Sequence, residues 1–598
     1  MDWEDYINLK NLFGFQIILI ISFIIAYNIN FVNQKNNIYN INFDFFGISK
    51  EKAEYSDNFL YIEQNLNGKN FYEVNNNMQK DIIVGIDFGG TNTGFSYIIG
   101  NKIEDIILNK KFPSEFGLSR KTLKGIHFSE SSSISMMNYR KNELDKVIYL
   151  KGIKYILNSK NYTINDNTCF IYPGYIIPEL NIRNILTEYF LMLKNDIINK
   201  INLKQEIDNI EDKILWTISI PSAWNEFEKQ LFKNSIINSG MKNNKLIYES
   251  EASSVFIYHQ AENILKKNNN FMLIDAGGYF IDISINEFLD RYGNINQILD
   301  SKTYYLGINK IIEDILKILE DLFGIAKFNY IKKNNPGNWI RILKDINRAI
   351  ENVYCVEGIE IYEINGQFKN DKGYYFYHYK NKKYKIEYNE FSVILPGNLI
   401  GNIILNNINE IIFNIDEIIK ELNIKNIKLK SIVITGGFSE NKIFQTEIEN
   451  YFLKYKIHIE YLHSYQTAIS KGLILYSINN MGKGQTRRSP ITIGIKNIKK
   501  MEIILNKGDN IKNILCTKYL KPISENQKFI QLNIYSTSEE ILNKGDLEKY
   551  FFGRLLLKIN NKEDKIIQLT ITYDIILNFY AFNNENGKEI ETEFQYFQ

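Results

Sequence analysis

One stretch constrains this chain more than any other: Asp81-Ile-Ile-Val-Gly-Ile-Asp-Phe-Gly-Gly-Thr-Asn-Thr-Gly-Phe-Ser-Tyr-Ile-Ile99. Ile82, Ile83, Val84 and Ile86 read as a buried strand. It ends at Asp87, turns through Gly89, Gly90, Thr91, Asn92 and Thr93, and runs at once into a second apolar segment, Phe95 to Ile99. This is a hairpin and not a strand entering a helix. Phosphate loops of the Walker and Rossmann types end in a helix N-terminus, so this stretch is of another kind. A turn like this can hold phosphate through backbone N–H groups that glycine leaves accessible and through threonine hydroxyls. Asp87, at the strand end, can orient a water or a magnesium ion, which prefers hard oxygen ligands. The plainer alternative is a glycine-rich hairpin with no ligand.

Two further stretches repeat the pattern. Phe271-Met-Leu-Ile-Asp-Ala-Gly-Gly-Tyr-Phe-Ile-Asp-Ile-Ser-Ile285 runs strand, Asp275, Gly277-Gly278, strand. Ser431-Ile-Val-Ile-Thr-Gly-Gly-Phe-Ser-Glu440 is a third strand, ending in Gly436, Gly437 and Phe438, with helical apolar spacing after it. Two Asp–Gly hairpins and a strand–Gly-Gly–helix, in that order, resemble the actin, hexokinase and heat shock protein 70 superfamily. The resemblance implies an α/β fold in which two ribonuclease H-like lobes form an actin-like ATPase clamshell. It also implies ATP or ADP with Mg2+ as cofactors, the first two loops on the phosphates and the third under the adenosine.

Connecting segments point to the heat shock protein 70 branch. Leu215-Trp-Thr-Ile-Ser-Ile-Pro-Ser-Ala-Trp-Asn-Glu226 resembles that family's strand and Pro-Ala turn, and Ile247-Tyr-Glu-Ser-Glu-Ala-Ser-Ser254 its following Glu-containing segment. Thr467-Ala-Ile-Ser-Lys-Gly472 resembles the segment after the adenosine loop. The Ser-Ala-Trp turn, Gly-Gly-Phe-Ser-Glu and Lys518-Tyr-Leu-Lys-Pro-Ile-Ser-Glu-Asn-Gln-Lys528 are similar to the divergent group typified by heat shock 70 kDa protein 12A.

Carried over residue by residue, the resemblance assigns catalytic roles to Asp87, Lys154, Glu249 and Asp275. Lys154 would reach the transferred phosphate, and Asp87, Glu249 and Asp275 would hold magnesium through water. Gly89, Gly90, Thr91, Asn92, Gly277, Gly278 and Tyr279 would surround phosphate, and Gly436, Gly437 and Phe438 the nucleoside. Asp345 and Arg348, three apart on one helical face, would flank ribose and adenine; an exposed ion pair is the alternative for them. For Lys154 the alternative is a solvated helical lysine.

The chain departs from the family at the γ-phosphate. Gly90 stands where a threonine is usual, which also makes the loop look like that of a hexose kinase. The second loop reads Gly277-Gly278-Tyr279-Phe280, with two rings where glycine and threonine are usual. The expectation is an adenine-nucleotide binder with weak or degenerate ATPase activity, in a chaperone-like or regulatory role. A nucleotide-independent scaffold and a sugar or small-molecule kinase remain open beside it, and a filament of the actin kind fits the lobes but not the rest of the chain.

At 598 residues there is room for several domains. The net charge of +2 gives no support for nucleic-acid binding. Cys169, Cys355 and Cys516 lack metal-ligand spacing and read as buried residues of a reducing compartment. Asn11 to Gln34 carry no charge and are long enough to cross a bilayer. The expectation is a transmembrane anchor over residues 1–33, with the bulk cytosolic, or alternatively a soluble cytoplasmic chain. A polar linker follows over 34–80, then the lobes at 81–246 and 247–482, and a breaker-rich linker at 483–490. Residues 491–598 alternate as strands of a β-sandwich that resembles a substrate-binding domain without a helical lid. The implied partners are a polypeptide client or co-chaperone, and the membrane through the first helix.

Overall fold

The computed structural model describes residues 59–61 and, with breaks, 81–596; the longer breaks are 159–170, 173–181, 261–268, 353–357, 363–372, 479–486, 538–549 and 560–565. Two central sheets are built on one plan. In the first, Ile82–Phe88 pairs antiparallel with Asn92–Ile99, which pairs antiparallel with Ile107–Leu108. On its other side Ile82–Phe88 runs parallel to Ile214–Ile220, which runs parallel to Asn244–Tyr248. In the second, Asn270–Ala276 takes the central place. It is antiparallel to Ile281–Phe288, then Ile295–Tyr304, and parallel to Ser431–Thr435, then His458–Tyr461. Numbered along the chain, both sheets have the order 3-2-1-4-5 with the same directions.

Composition explains the burial. Strands such as Ile82–Phe88 and Asn270–Ala276 are nearly continuous runs of apolar residues, as strands covered on both faces must be. The first lobe's core joins Ile82, Val84 and Ile86 to Tyr189, Phe190 and Phe232 on the helices Ile182–Asn202 and Glu226–Asn238. The second lobe's core joins Ile274 and Ile434 to the helices Ile308–Phe323, Pro336–Glu351 and Gly397–Ile424.

The lobes meet through two helices. Tyr465–Ile478, from the second half of the chain, lies on the first sheet, with Ser470 Oγ 2.8 Å from Ser96 Oγ. It also crosses Glu249–Gln260 so closely that a Cβ at Gly472 would stand 2.0 Å from the Ala252 carbonyl oxygen.

Beyond the lobes, two five-stranded sheets share one apolar core that includes Ile493, Ile530, Leu555, Leu569 and Tyr573. The strand Phe59–Tyr61 adds to the edge of one of them beside Ile514–Pro522. This C-terminal unit is fixed to the first lobe at Glu226. That carboxylate accepts from Lys229 Nζ (2.8 Å), Tyr573 OH (2.8 Å) and the Leu577 N–H (3.0 Å), and Lys229 also donates to the Ile575 carbonyl (3.1 Å). Ile575 and Ile576 are buried within the first lobe's own core.

One element expected from the sequence is corrected. The fold is mixed α/β with several sheets, and no helix among the described residues is long and apolar enough to cross a membrane. The longest, Gly397–Ile424, is amphipathic: Asn402, Asn406, Glu410, Glu417 and Glu421 interrupt its isoleucines. Asn11–Gln34, on which the N-terminal transmembrane helix rested, lies outside the described residues, so the helix has no support here.

Candidate functional site

The two glycine hairpins and the loop after Ser431–Thr435 open onto one cavity of about 520 Å³. Asp87, Gly89, Gly90, Thr91, Asn92, Lys154, Glu249, Asp275, Gly277, Gly278, Tyr279, Gly436, Gly437 and Phe438 all line it. Asp345 and Arg348 do not. They pair with each other at 3.4 Å on a helix face where Arg348 is 73% exposed, and the cavity is lined instead by Ile350 and Glu351 at the end of that helix.

The first turn is held from behind. Ser114 Oγ donates to the Gly89 carbonyl at 2.8 Å and lies 2.8 Å from Thr93 Oγ1, which is 2.7 Å from Tyr189 OH. The second turn is held by the start of the helix Ile308–Phe323, where the Gly307 N–H donates to the Tyr279 carbonyl (3.1 Å) and the Asn309 N–H to that of Gly278 (2.8 Å). Gly436, at φ +90°, turns the third loop in a conformation that favours glycine. It passes so near the second hairpin that a Cβ would stand 2.5 Å from Asp275 Oδ1.

Six carboxylates, Asp87, Glu249, Asp275, Asp282, Glu351 and Glu440, and two ammonium groups, Lys111 and Lys154, line this space. Lys111 Nζ is 2.6 Å from Asp87 Oδ2, and Lys154 Nζ is 2.5 Å from Glu249 Oε1. Asp275 and Asp282 are direct cross-strand partners in the second hairpin, and Thr303 donates to Asp282. Their surfaces are partly open to the cavity, yet they lie deep between the lobes. Desolvation, with Glu249 nearby, pushes each carboxyl up to about 7. Burial raises Glu249 too, against the pull of Lys154. Burial pulls Lys111 down, but Asp87 outweighs it and leaves the ammonium raised.

Rings fill the end of the cavity at the two glycine turns. Tyr279 is 3% exposed and stacks on Tyr155 with centroids 5.0 Å apart and planes at 19°. Phe280 meets Tyr305 edge-on at 5.9 Å. The two turns also interlock: a Cβ at Gly90 would lie 2.4 Å from Tyr279 Cδ2, and one at Gly278 2.5 Å from Thr91 Cγ2.

Magnesium, which the resemblance implies, can be tested against these donors. Asp87 and Glu249 each already hold a lysine, and among the described residues no three acidic, histidine or cysteine side chains are grouped to ligate a metal. The protein's own donors therefore do not form a direct divalent-cation site, which leaves the water-mediated arrangement that the resemblance implies as the form magnesium would take here.

Sequence reasoning missed Lys111, Tyr155, Asp282, Ile350 and Glu351. Asp282 carries a readable signal, since counting back from the Gly277-Gly278 turn sets it opposite Asp275. Lys111 carries none. Its position follows from the bridge of Phe112 to Thr93 across the first hairpin. Cys169 and Cys355, read from the sequence as buried, lie outside the described residues. No protein-family model matches this chain, and no curated protein matches it either.

Proposed function

We propose that the chain binds an adenine nucleotide, ADP or ATP, between its two lobes, and that its ATPase activity is weak or absent. The observation that carries the reading is convergence. Two Asp–Gly hairpins, each from the central strand of a sheet of one topology, and a third Gly-Gly loop open onto a single cavity. Its volume of about 520 Å³ suits a small ligand of this size. Backbone N–H groups at the turns and two lysines supply the anion-binding side, and the open face at Gly437, where a Cβ would meet nothing within 4 Å, supplies room for a flat base. The likeness to heat shock protein 70 sequences supports a chaperone-like or regulatory role with a polypeptide client or co-chaperone.

A second reading, a scaffold that needs no nucleotide, is favoured by one observation: Tyr279 and its stacked partner Tyr155 already occupy the end of the cavity at the two glycine turns. Thermal unfolding of the full chain separates the two. Nucleotide binding raises the melting temperature with millimolar ADP by mass action, and Gly437→Val removes the rise while leaving the unliganded protein folded. No rise with any adenine nucleotide establishes the scaffold.

A further inference from the structure

We propose that this cavity takes a nucleoside diphosphate without a divalent cation, Lys111 and Lys154 supplying the positive charge that a metal would bring. The inference rests on the reading of the cavity as a nucleotide site and states which form of nucleotide it accepts.

Three observations carry it. First, two of the three carboxylates named for a hydrated cation, Asp87 and Glu249, are taken by lysines, and Asp275 is left. Asp87, with a side chain 3% exposed, has the Lys111 ammonium at 2.6 Å, and Glu249, 11% exposed, has the Lys154 ammonium at 2.5 Å. A divalent cation bound directly to either one has to displace its ammonium or sit beside it. Both courses place like charges together in a poorly solvated space, which is costly. Second, among the described residues no other three candidate ligands are grouped to offer the cation a separate place. Third, the two glycine turns are in contact with each other. The Tyr279 ring lies against Gly90 and the Thr91 side chain against Gly278, so on the nucleotide reading the turns close on each other where a third phosphate would extend.

Lysine is suited to this task. Its ammonium carries three donors on a flexible stem, so it can leave a carboxylate oxygen for a phosphate oxygen a short distance away without losing its hydrogen bonds. Lys111 comes from the connection before Phe112 and Lys154 from the helix Ile153–Asn158, so the two approach the phosphates from different elements. The site then resembles a metal centre in its charge but not in its ligands.

Calorimetric titration of the full chain with ADP tests this, in EDTA and in magnesium chloride. The expected result is ADP binding in EDTA within about threefold of that in magnesium. Lys111→Met should weaken binding in EDTA by about tenfold or more, the loss expected for a charge-assisted contact. The same variant should regain affinity in magnesium, because Asp87 is then free to take the cation; this gain cannot arise from misfolding. Lys111→Arg keeps the charge and should keep metal-free binding. ADP binding that needs magnesium in the unmodified protein overturns this inference while leaving the nucleotide reading in place. Absence of binding by ADP and ATP in both buffers overturns both.

Discussion

Gly90 and Tyr279 share one volume. The ring's Cδ2 lies 2.4 Å from where a side chain at residue 90 would begin, so the ring of one lobe is possible only because the other lobe has glycine opposite. The two positions at which the chain differs from the pattern it resembles are thus in one contact. Gly90→Thr alone should destabilise the chain by about 1–3 kcal/mol through overpacking. Combined with Tyr279→Gly, the threonine should cost less, giving a coupling of about 0.5–3 kcal/mol in a double-mutant cycle read by chemical denaturation. Additive effects would mean that the turns do not touch in solution.

Nucleotide preference follows from the same contact. Full-length protein should bind ADP more tightly than ATP, and Tyr279→Gly with Phe280→Thr should raise ATP affinity more than ADP affinity. Any gain in hydrolysis should require Gly90→Thr as well, since donors around the transferred phosphate act together. Phosphate-release assays and calorimetry check both. Unmodified protein that already hydrolyses ATP at a rate the triple variant does not improve would overturn the placement of Tyr279.

Asp275 and Asp282 predict a pH dependence. Folded, each carboxyl keeps its proton to about pH 7, against an ordinary value of 3.8. Between those values the folded state binds more protons than the unfolded state, so this contribution to stability is present at low pH and is lost as pH rises to about 7. Asp275→Asn should therefore stabilise the unliganded protein by up to a few kcal/mol at pH 8, by less at pH 5, and change it little below pH 4. Unfolding midpoints from pH 3.5 to pH 8 give the curve.

The buried pair Lys229–Glu226 holds the C-terminal unit to the first lobe. Both side chains are 1% exposed. Lys229→Met leaves Glu226 buried without its cation and should cost about 3–5 kcal/mol. Because the same ammonium reaches the Ile575 carbonyl, the loss should appear as faster proteolysis near residues 574–577 before global unfolding. Protease sensitivity spread evenly over the chain would argue against that localised role.

How far the sequence could be read depended on how local each signal was. The glycine turns were legible because a hairpin's apolar runs and its turn residues lie next to one another in the chain. Tyr279 was legible as a misfit for the same reason, although its partner at Gly90 was not, since that contact joins loops almost two hundred residues apart. Asp345 and Arg348 were placed on one helix face correctly, and they pair. Which face meets the cavity is decided by Ile340, Leu343 and Ile350 packing inward, and this turns Arg348 away. Lys111 was hidden because a two-residue bridge, Asn92–Thr93 with Phe112–Pro113, sets where it points.

The burial of Ile575 and Ile576 in the first lobe has a consequence for synthesis. A lobe that begins at Ile82 is completed by residues made roughly 490 positions later, and at about 5–20 residues per second a ribosome needs on the order of 25–100 s to reach them. The face around Glu226 and Lys229 stays uncovered while the roughly 350 residues from Lys229 to Ile575 are made, on the order of 17–70 s at the same rate. Residues made after both lobes therefore close the first lobe to be made.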